Sequence, residues 1–360
     1  MNNKKVRAIA FYLPQFYPTP ENDEWWEPGF TEWTNVTRAK PLFKGHYQPR
    51  LPKDLSFYDL RVPEVREQQA SMAQSVGIEG FCYWHYWFAG RRLLDQVFRE
   101  VVETGKPDFP FCLCWANHSW KSKTWNPNMP DKMLIEQTYP GEQDYVEHFY
   151  AMLPAFKDKR YMSVDGKLIF GIFSPGDFKD FPLFTETWNQ LAKENGIAGF
   201  HFFALAQGTH NLNRFDHSHY DSIMFDKMID IFREHESTWL KRKYKKLLFR
   251  LHKPIVLDYD RYVDQSIESF RNNEALIPCI DPDFDHTPRS AYRWIIYGNS
   301  SPEKWERLCK SCVEVLQARK TNNSLLFIKS WNEWGEGNYL EPDQKWGHAY
   351  LDATAKVFKL

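Results

Sequence analysis

Glu333 and Glu336 lie three residues apart in SWNEWGEGNYLEP, residues 330–342, with Trp331, Trp334, Asn332, Gly335 and Gly337 around them and a third acid, Glu341, close behind. Two carboxylates held together are the usual equipment for breaking a glycosidic bond. One must carry a proton near neutral pH to serve the leaving oxygen, and the other must stay ionised. Apolar walls raise a carboxyl's pKa by desolvation, and mutual repulsion drives two neighbouring values apart. Trp331 and Trp334 are the candidate walls. Helical backbone does not persist across WGEGN, with glycines at 335 and 337, so the pair is expected on a loop. Glutamates capping the last helix would show the same spacing; the indole-rich setting and the place after the last strand-like run favour chemistry.

Such a loop needs a scaffold. Eight short apolar runs recur along the chain, at 6–13, 78–84, 109–116, 167–173, 200–206, 222–226, 275–280 and 324–330. Each is of strand length and almost continuously apolar, as strands covered on both faces are. Helical patterns lie between most of them. VPEVREQQASMAQSVG has proline in its first turn and stops at Gly77, and RRLLDQVFREVVETG stops at Gly105. GEQDYVEHFYAMLPAF, FTETWNQLAKENG and SPEKWERLCKSCVEVLQARK are further candidates. The alternation predicts an α/β fold, a (β/α)8 TIM barrel formed by one catalytic domain over residues 1–360. A doubly wound open sheet would need a glycine-rich phosphate turn after an early strand, and LPQFYPTP stands there instead. Two stretches exceed a minimal barrel: a Pro- and Trp-rich excursion at about 14–60, and an insertion after strand six at about 227–265 that carries the basic segment STWLKRKYKKLLFRLHK.

In such a barrel chemistry sits where strands end and loops begin. Polar and aromatic residues gather there. Tyr12, Gln15 and ENDEWWEPGFTEWTN follow the first run, YWHYWFAGRR with Trp87 the second, and WANHSWKSKTWN with His118 the third. Gln207 and His210 follow the fifth, Asp226 ends the sixth, DPDFDHTPR follows the seventh, and the glutamate loop with Glu341 follows the eighth. One cleft lined by these groups is expected. Asp285 and Arg289 suit either a structural ion pair or contacts to sugar hydroxyls.

Composition narrows the class. The 360 residues include 15 Trp, 18 Tyr and 28 Phe, and many of the tryptophans stand in polar segments, which suits a pocket for flat, hydroxyl-rich ligands. A net charge of −1 without a long basic run gives no case for a nucleic-acid partner. Cys309 and Cys312 form a CxxC inside a helical pattern with no second pair nearby, so no metal site is expected. Cys82, Cys112, Cys114 and Cys279 fall in the apolar runs, and buried thiols fit a reducing compartment. The N-terminal apolar run is too short for a signal peptide, and no stretch is long enough to span a membrane, so a cytoplasmic protein is expected.

The segments AFYLPQFYPTPENDEWWEPGFTEWTNVTRAKPLFKGHYQPRLP, GFCYWHYWF, CLCWAN, DHTPR and WNEWGEGNYLEP resemble the WbsX-like family of bacterial polysaccharide and O-antigen biosynthesis, labelled glycosyltransferases and also described as glycoside hydrolase family 99-like. The resemblance spans nearly the whole chain. It implies a (β/α)8 barrel and a retaining, metal-free, cofactor-free endo-α-mannosidase type of chemistry on an oligosaccharide or polysaccharide. By this resemblance Glu333 is the base toward the sugar 2-hydroxyl, giving an anhydro-sugar intermediate, and Glu336 is the acid and then the base. Tyr12, Trp33, His85, Trp115, Asn117 and Asn332 would line the sugar subsites. Relatives of this type read WANE where this chain reads WANH, so His118 replaces a carboxylate. A nucleotide-sugar glycosyltransferase is the alternative, with DxD triplets at 258–260 and 281–285 as its metal candidates. A sugar-binding module without catalysis is a third, disfavoured by the presence of both glutamates.

Overall fold

The eight apolar runs form eight parallel strands: β1 Arg7–Tyr12, β2 Gly80–His85, β3 Phe111–Trp115, β4 Lys167–Ile172, β5 Phe200–Gln207, β6 Ser222–Asp226, β7 Leu276–Ile280 and β8 Leu325–Ile328. The computed structural model describes residues 5–122, 131–234, 237–320 and 324–359, so the KTWN end of the loop after β3 lies outside the described residues. The strands pair in chain order, β8 pairs with β1, and β4 pairs with β5, so the sheet closes on itself. The chain is a (β/α)8 barrel.

Helices Pro63–Ser75, Gln96–Thr104, Glu142–Phe156, Phe181–Glu194, Tyr259–Asn272 and Pro302–Ala318 occupy the connections, and Ala349–Phe358 follows β8. The Phe181 helix starts three residues before the FTETWNQ pattern because Pro182 fits its first turn. Cys309 and Cys312 lie on the buried face of the Pro302–Ala318 helix, and all six cysteines are free and buried.

Strand side chains alternate between the barrel lumen and the helix layer. Phe11, Phe203 and Phe327 meet in the lumen, with ring centroids 5.7 Å apart for Phe11–Phe327 and 4.9 Å for Phe203–Phe327. Tyr12, one residue on, points the other way, and its hydroxyl donates to Gln69 of the Pro63–Ser75 helix at 2.6 Å. This phase decides which residues reach the mouth.

The excursion after β1 holds two short helices, Pro20–Trp25 and Glu32–Arg38. It is anchored by Trp33, which packs on Phe16 and Tyr58 and donates its indole N–H to the Tyr58 carbonyl. After β6 come helices Met228–Glu234 and Trp239–Arg250, then Ile255–Asp258, which pairs in parallel with Ile295–Gly298. Regular helix resumes at Tyr259, inside the expected boundary at 265. Among the described residues no helix is long and apolar enough to cross a membrane.

Candidate active site

The glutamate loop is a short hairpin set on the end of β8. Asn332 and Glu333 pair antiparallel with Tyr339 and Asn338, and Trp334–Glu336 makes a single turn of 3-10 helix between them. Both glycines are required. Gly337 ends the turn in the left-handed region at φ 59°. Gly335 has no room for a Cβ, because the Glu32 carboxylate closes over it with Arg289 beside it. A Gly335→Ala substitution is therefore expected to push Glu32 off Arg289. Activity should fall tenfold or more, on the order of a lost charged hydrogen bond, and the melting temperature should fall with it, because Glu32 is buried and loses its guanidinium. Parallel rate and melting measurements check this.

Behind the hairpin a buried network fixes its position. The Asn332 side chain accepts from the Leu13 backbone N–H at 2.8 Å and donates to the Leu13 carbonyl at 3.0 Å, tying the end of β1 to the end of β8. Glu341 accepts from the Trp334 indole at 2.6 Å, the Tyr58 hydroxyl at 2.9 Å and the Gln69 amide at 2.6 Å. Burial pushes the Glu341 carboxyl up to about 7 despite these three donors. On the other flank, the Asp285 backbone N–H donates to the Glu336 carbonyl at 2.6 Å. The Asp285 carboxylate accepts from Gln48 at 2.6 Å and from the Thr287 hydroxyl at 2.6 Å, and pairs with His46 at 2.8 Å. Burial alone would raise its pKa; His46, Arg50 and Thr287 more than offset that and hold it at about 2.

An acid depressed in the folded state contributes stability above its unfolded pKa, near 4, and loses it as pH falls toward 2. Asp285→Asn is thus expected to cost about 2 kcal/mol near neutral pH, with the difference from wild type vanishing at about pH 2. Urea melts at several pH values check both statements.

The cleft lies at the carboxyl ends of the strands and has two adjoining lobes. One, of about 420 Å³, is lined by Trp26, Phe30, Glu32, Met228, His286 and Trp294 among others. The second, of about 240 Å³, is lined by Trp84, Tyr86, His118, Trp120, Phe173 and Glu333 among others. Gln15, Gln207, Arg289, Lys329 and Glu336 border both. Arg289 organises the acids. Its guanidinium meets Glu336 at 2.5 Å, Glu32 at 2.9 Å and Glu333 at 3.6 Å. Lys329, just past β8, stands 4.0 Å from Asp226. Burial would lower its pKa, but Glu336, Asp226, Asp281 and Glu333 reverse this and keep it charged.

The two glutamates differ in protonation. Burial, then repulsion from Glu336, pushes Glu333 up to about 7, with Ser330 donating to it at 2.9 Å. Burial acts on Glu336 in the same sense, but Arg289, Lys329 and His286 outweigh it and hold Glu336 below the ordinary glutamate value. At neutral pH the pair therefore rests with Glu336 ionised and Glu333 near its midpoint.

Of the residues read from the sequence, Glu333, Glu336, Arg289, His118, Gln15 and Gln207 meet in this cleft. The other side chains singled out for sugar contacts do not line it. Tyr12, His85 and Trp115 stand on the outward phase of their strands. His85 faces His148 of the Glu142–Phe156 helix, nitrogen to nitrogen at 2.7 Å, and Trp115 donates to the Trp87 carbonyl at 3.1 Å. Trp87 stacks on His148 at 4.6 Å and donates to Asp144. Asn117 is buried against Ser174 and Tyr139. Trp33 and Trp334 pack together at 5.4 Å beneath the hairpin, Trp331 packs on Phe81, and Asn332, Glu341 and Asp285 hold the loops. The walls around Glu333 are Trp84, Tyr86, Trp120 and Phe173 rather than Trp331 and Trp334. Lys329 was missed, and Glu32, though inside the segment ENDEWWEPGFTEWTN, was not singled out. A lysine breaking the apolar run SLLFIKS is the signal that could have found the first, and the placing of that segment at the strand ends is the only local signal for the second.

Residues 8–354 match the family described as Glycosyltransferase WbsX. The chain belongs to the WbsX family. Two relatives, each called uncharacterized protein WxcX, come from two strains of Xanthomonas campestris pv. campestris. Each is 34% identical over 352 residues, covering 97% of this chain and 49% of the relative. The chain thus spans about half the length of the curated relatives it matches. The WbsX barrel is similar to a solved glycoside hydrolase-like protein, with a TM-score of 0.62 at 13% identity over 100% of this chain and 96% of the other. It is also similar to the GH99 endo-alpha-mannosidase from Bacteroides thetaiotaomicron, with a TM-score of 0.53 at 14% identity over 98% and 96%. These likenesses concern the fold.

Proposed function

We propose that this barrel acts on glycosidic bonds of a bacterial polysaccharide, as a retaining endo-glycosidase or transglycosidase of the endo-α-mannosidase type, with Glu333 and Glu336 as its catalytic pair. One observation carries the reading: two acids of opposite protonation tendency line one aromatic-walled cleft at the strand ends and share one guanidinium. A base is most effective with a pKa near the working pH, and Glu333 meets that condition at about 7. It therefore suits removal of a proton from the sugar 2-hydroxyl, whose oxygen then attacks the anomeric carbon as the leaving oxygen departs. Glu336 serves as acid once it holds a proton. In the resting cleft Arg289 and Lys329 keep it ionised, so the substrate must draw Arg289 away from Glu336 before transfer. His118 and the aromatic walls of the second lobe bind the sugar rings. We read the chain as one catalytic barrel with excursions at about 14–60 and 227–265. The buried reduced cysteines support a cytoplasmic setting.

The reverse assignment, Glu333 as acid and Glu336 as ionised partner, is favoured by the resting protonation alone, and the pH profile discussed below separates the two. The transferase alternative draws on the family name. Its acidic triplets are otherwise engaged: Asp283 and Asp285 pair with Arg50, Asp260 pairs with Lys304, and Asp258 caps its helix. The decisive test is a pair of measurements, release of oligosaccharide from α-mannose-containing polymers and calorimetric titration with UDP-, GDP- and dTDP-sugars. Cleavage without nucleotide-sugar binding supports the glycosidase; micromolar nucleotide-sugar binding without cleavage overturns it.

A further inference from the structure

The insertion after β6 contains a surface the cleft does not use. The Trp239–Arg250 helix has no buried residue. Leu240, Tyr244, Leu247 and Leu251 follow one another at helical spacing on one side and are 69%, 56%, 50% and 56% exposed. Leu248 and Phe249, on a different side, are the residues that pack on the body of the protein. Beside the apolar stripe runs a cationic one, formed by Arg242, Lys243, Lys246 and Arg250. Trp239, 60% exposed, lies at its head with the Lys243 ammonium 3.8 Å over its ring. Residues 239–254 contain seven lysines and arginines and no acid, in a chain whose net charge is −1.

An exposed leucine and tyrosine stripe flanked by basic side chains, with a tryptophan at the edge, is the build of a helix that lies in a lipid interface. The apolar stripe enters the boundary between headgroups and acyl chains, while the long basic stems reach back to anionic phosphates. A second copy of this chain is a poorer occupant, because a two-fold contact would set the cationic stripe against itself. We propose that the Trp239–Arg250 helix docks this protein onto an anionic lipid surface.

The test is co-sedimentation of the full chain with vesicles of phosphatidylcholine alone or with about one third phosphatidylglycerol. Binding to the anionic vesicles is expected to be at least about tenfold tighter and to weaken with added salt. Leu240→Ser with Leu247→Ser, and separately Lys243→Ser with Lys246→Ser, should each weaken it about tenfold or more at unchanged melting temperature. Equal partition to both vesicle types, absence of binding to either, or insensitivity to both double variants overturns the proposal. So does a concentration-dependent dimer that the leucine variant dissolves in the absence of any vesicle binding.

Discussion

Glu333→Gln is expected to slow turnover by about 10²–10⁴-fold on every glycoside tested, whatever its leaving group, while sugar binding persists. The amide keeps the shape and the hydrogen bond from Ser330 but cannot take a proton, so a step that needs a base fails regardless of how easily the bond breaks. The wild-type pH profile carries the same information with a sign. A base with a pKa of about 7 is active when ionised, so kcat/KM should rise with pH through about 7 and the limb should vanish in the variant. If Glu333 were the acid, activity would instead fall as pH rises through the same point. Lost binding with intact turnover would contradict either role.

Glu336→Gln should behave differently. Loss of a general acid costs most where the leaving group is poor, so natural oligosaccharides should be cleaved a hundredfold or more slowly. Aryl glycosides with acidic phenols leave without help and should lose about tenfold or less in the bond-breaking step. A uniform loss across leaving groups would remove Glu336 from proton donation, and an unchanged rate would remove it from the mechanism. Arg289 complicates this variant in a useful way. Its 2.5 Å pairing with Glu336 disappears, and its charge then falls more fully on Glu333 at 3.6 Å, which should move the limb near pH 7 to lower pH.

The comparison of sequence with structure turns on strand phase. Continuous apolar runs identify strands covered on both faces, but for that reason they do not reveal which alternate residues face the lumen. His85 was chosen where Trp84 and Tyr86 line the cleft, and Tyr12 where Leu13 does. Each is an offset of one residue, which in a strand reverses the side chain. The tryptophans of the glutamate loop misled for a related reason. An indole next to a carboxylate in sequence can lie under the loop rather than over it, as Trp334 does when it donates to Glu341.

What the chain's order of residues determined without coordinates was the eight-strand alternation, the helices between, the two excursions and the placing of the glutamate pair on a glycine-broken loop after the last strand. These are local properties, written in periodicity and backbone freedom. Tertiary structure alone decided that Glu32, from the first excursion, closes over Gly335, that Arg289 bridges three acids, and that Lys329 stays charged among carboxylates. The Arg289–Glu32 contact alone joins residues 257 positions apart. The pKa differences that distinguish Glu333 from Glu336 arise from burial and from such distant charges, quantities that no stretch of neighbouring residues contains.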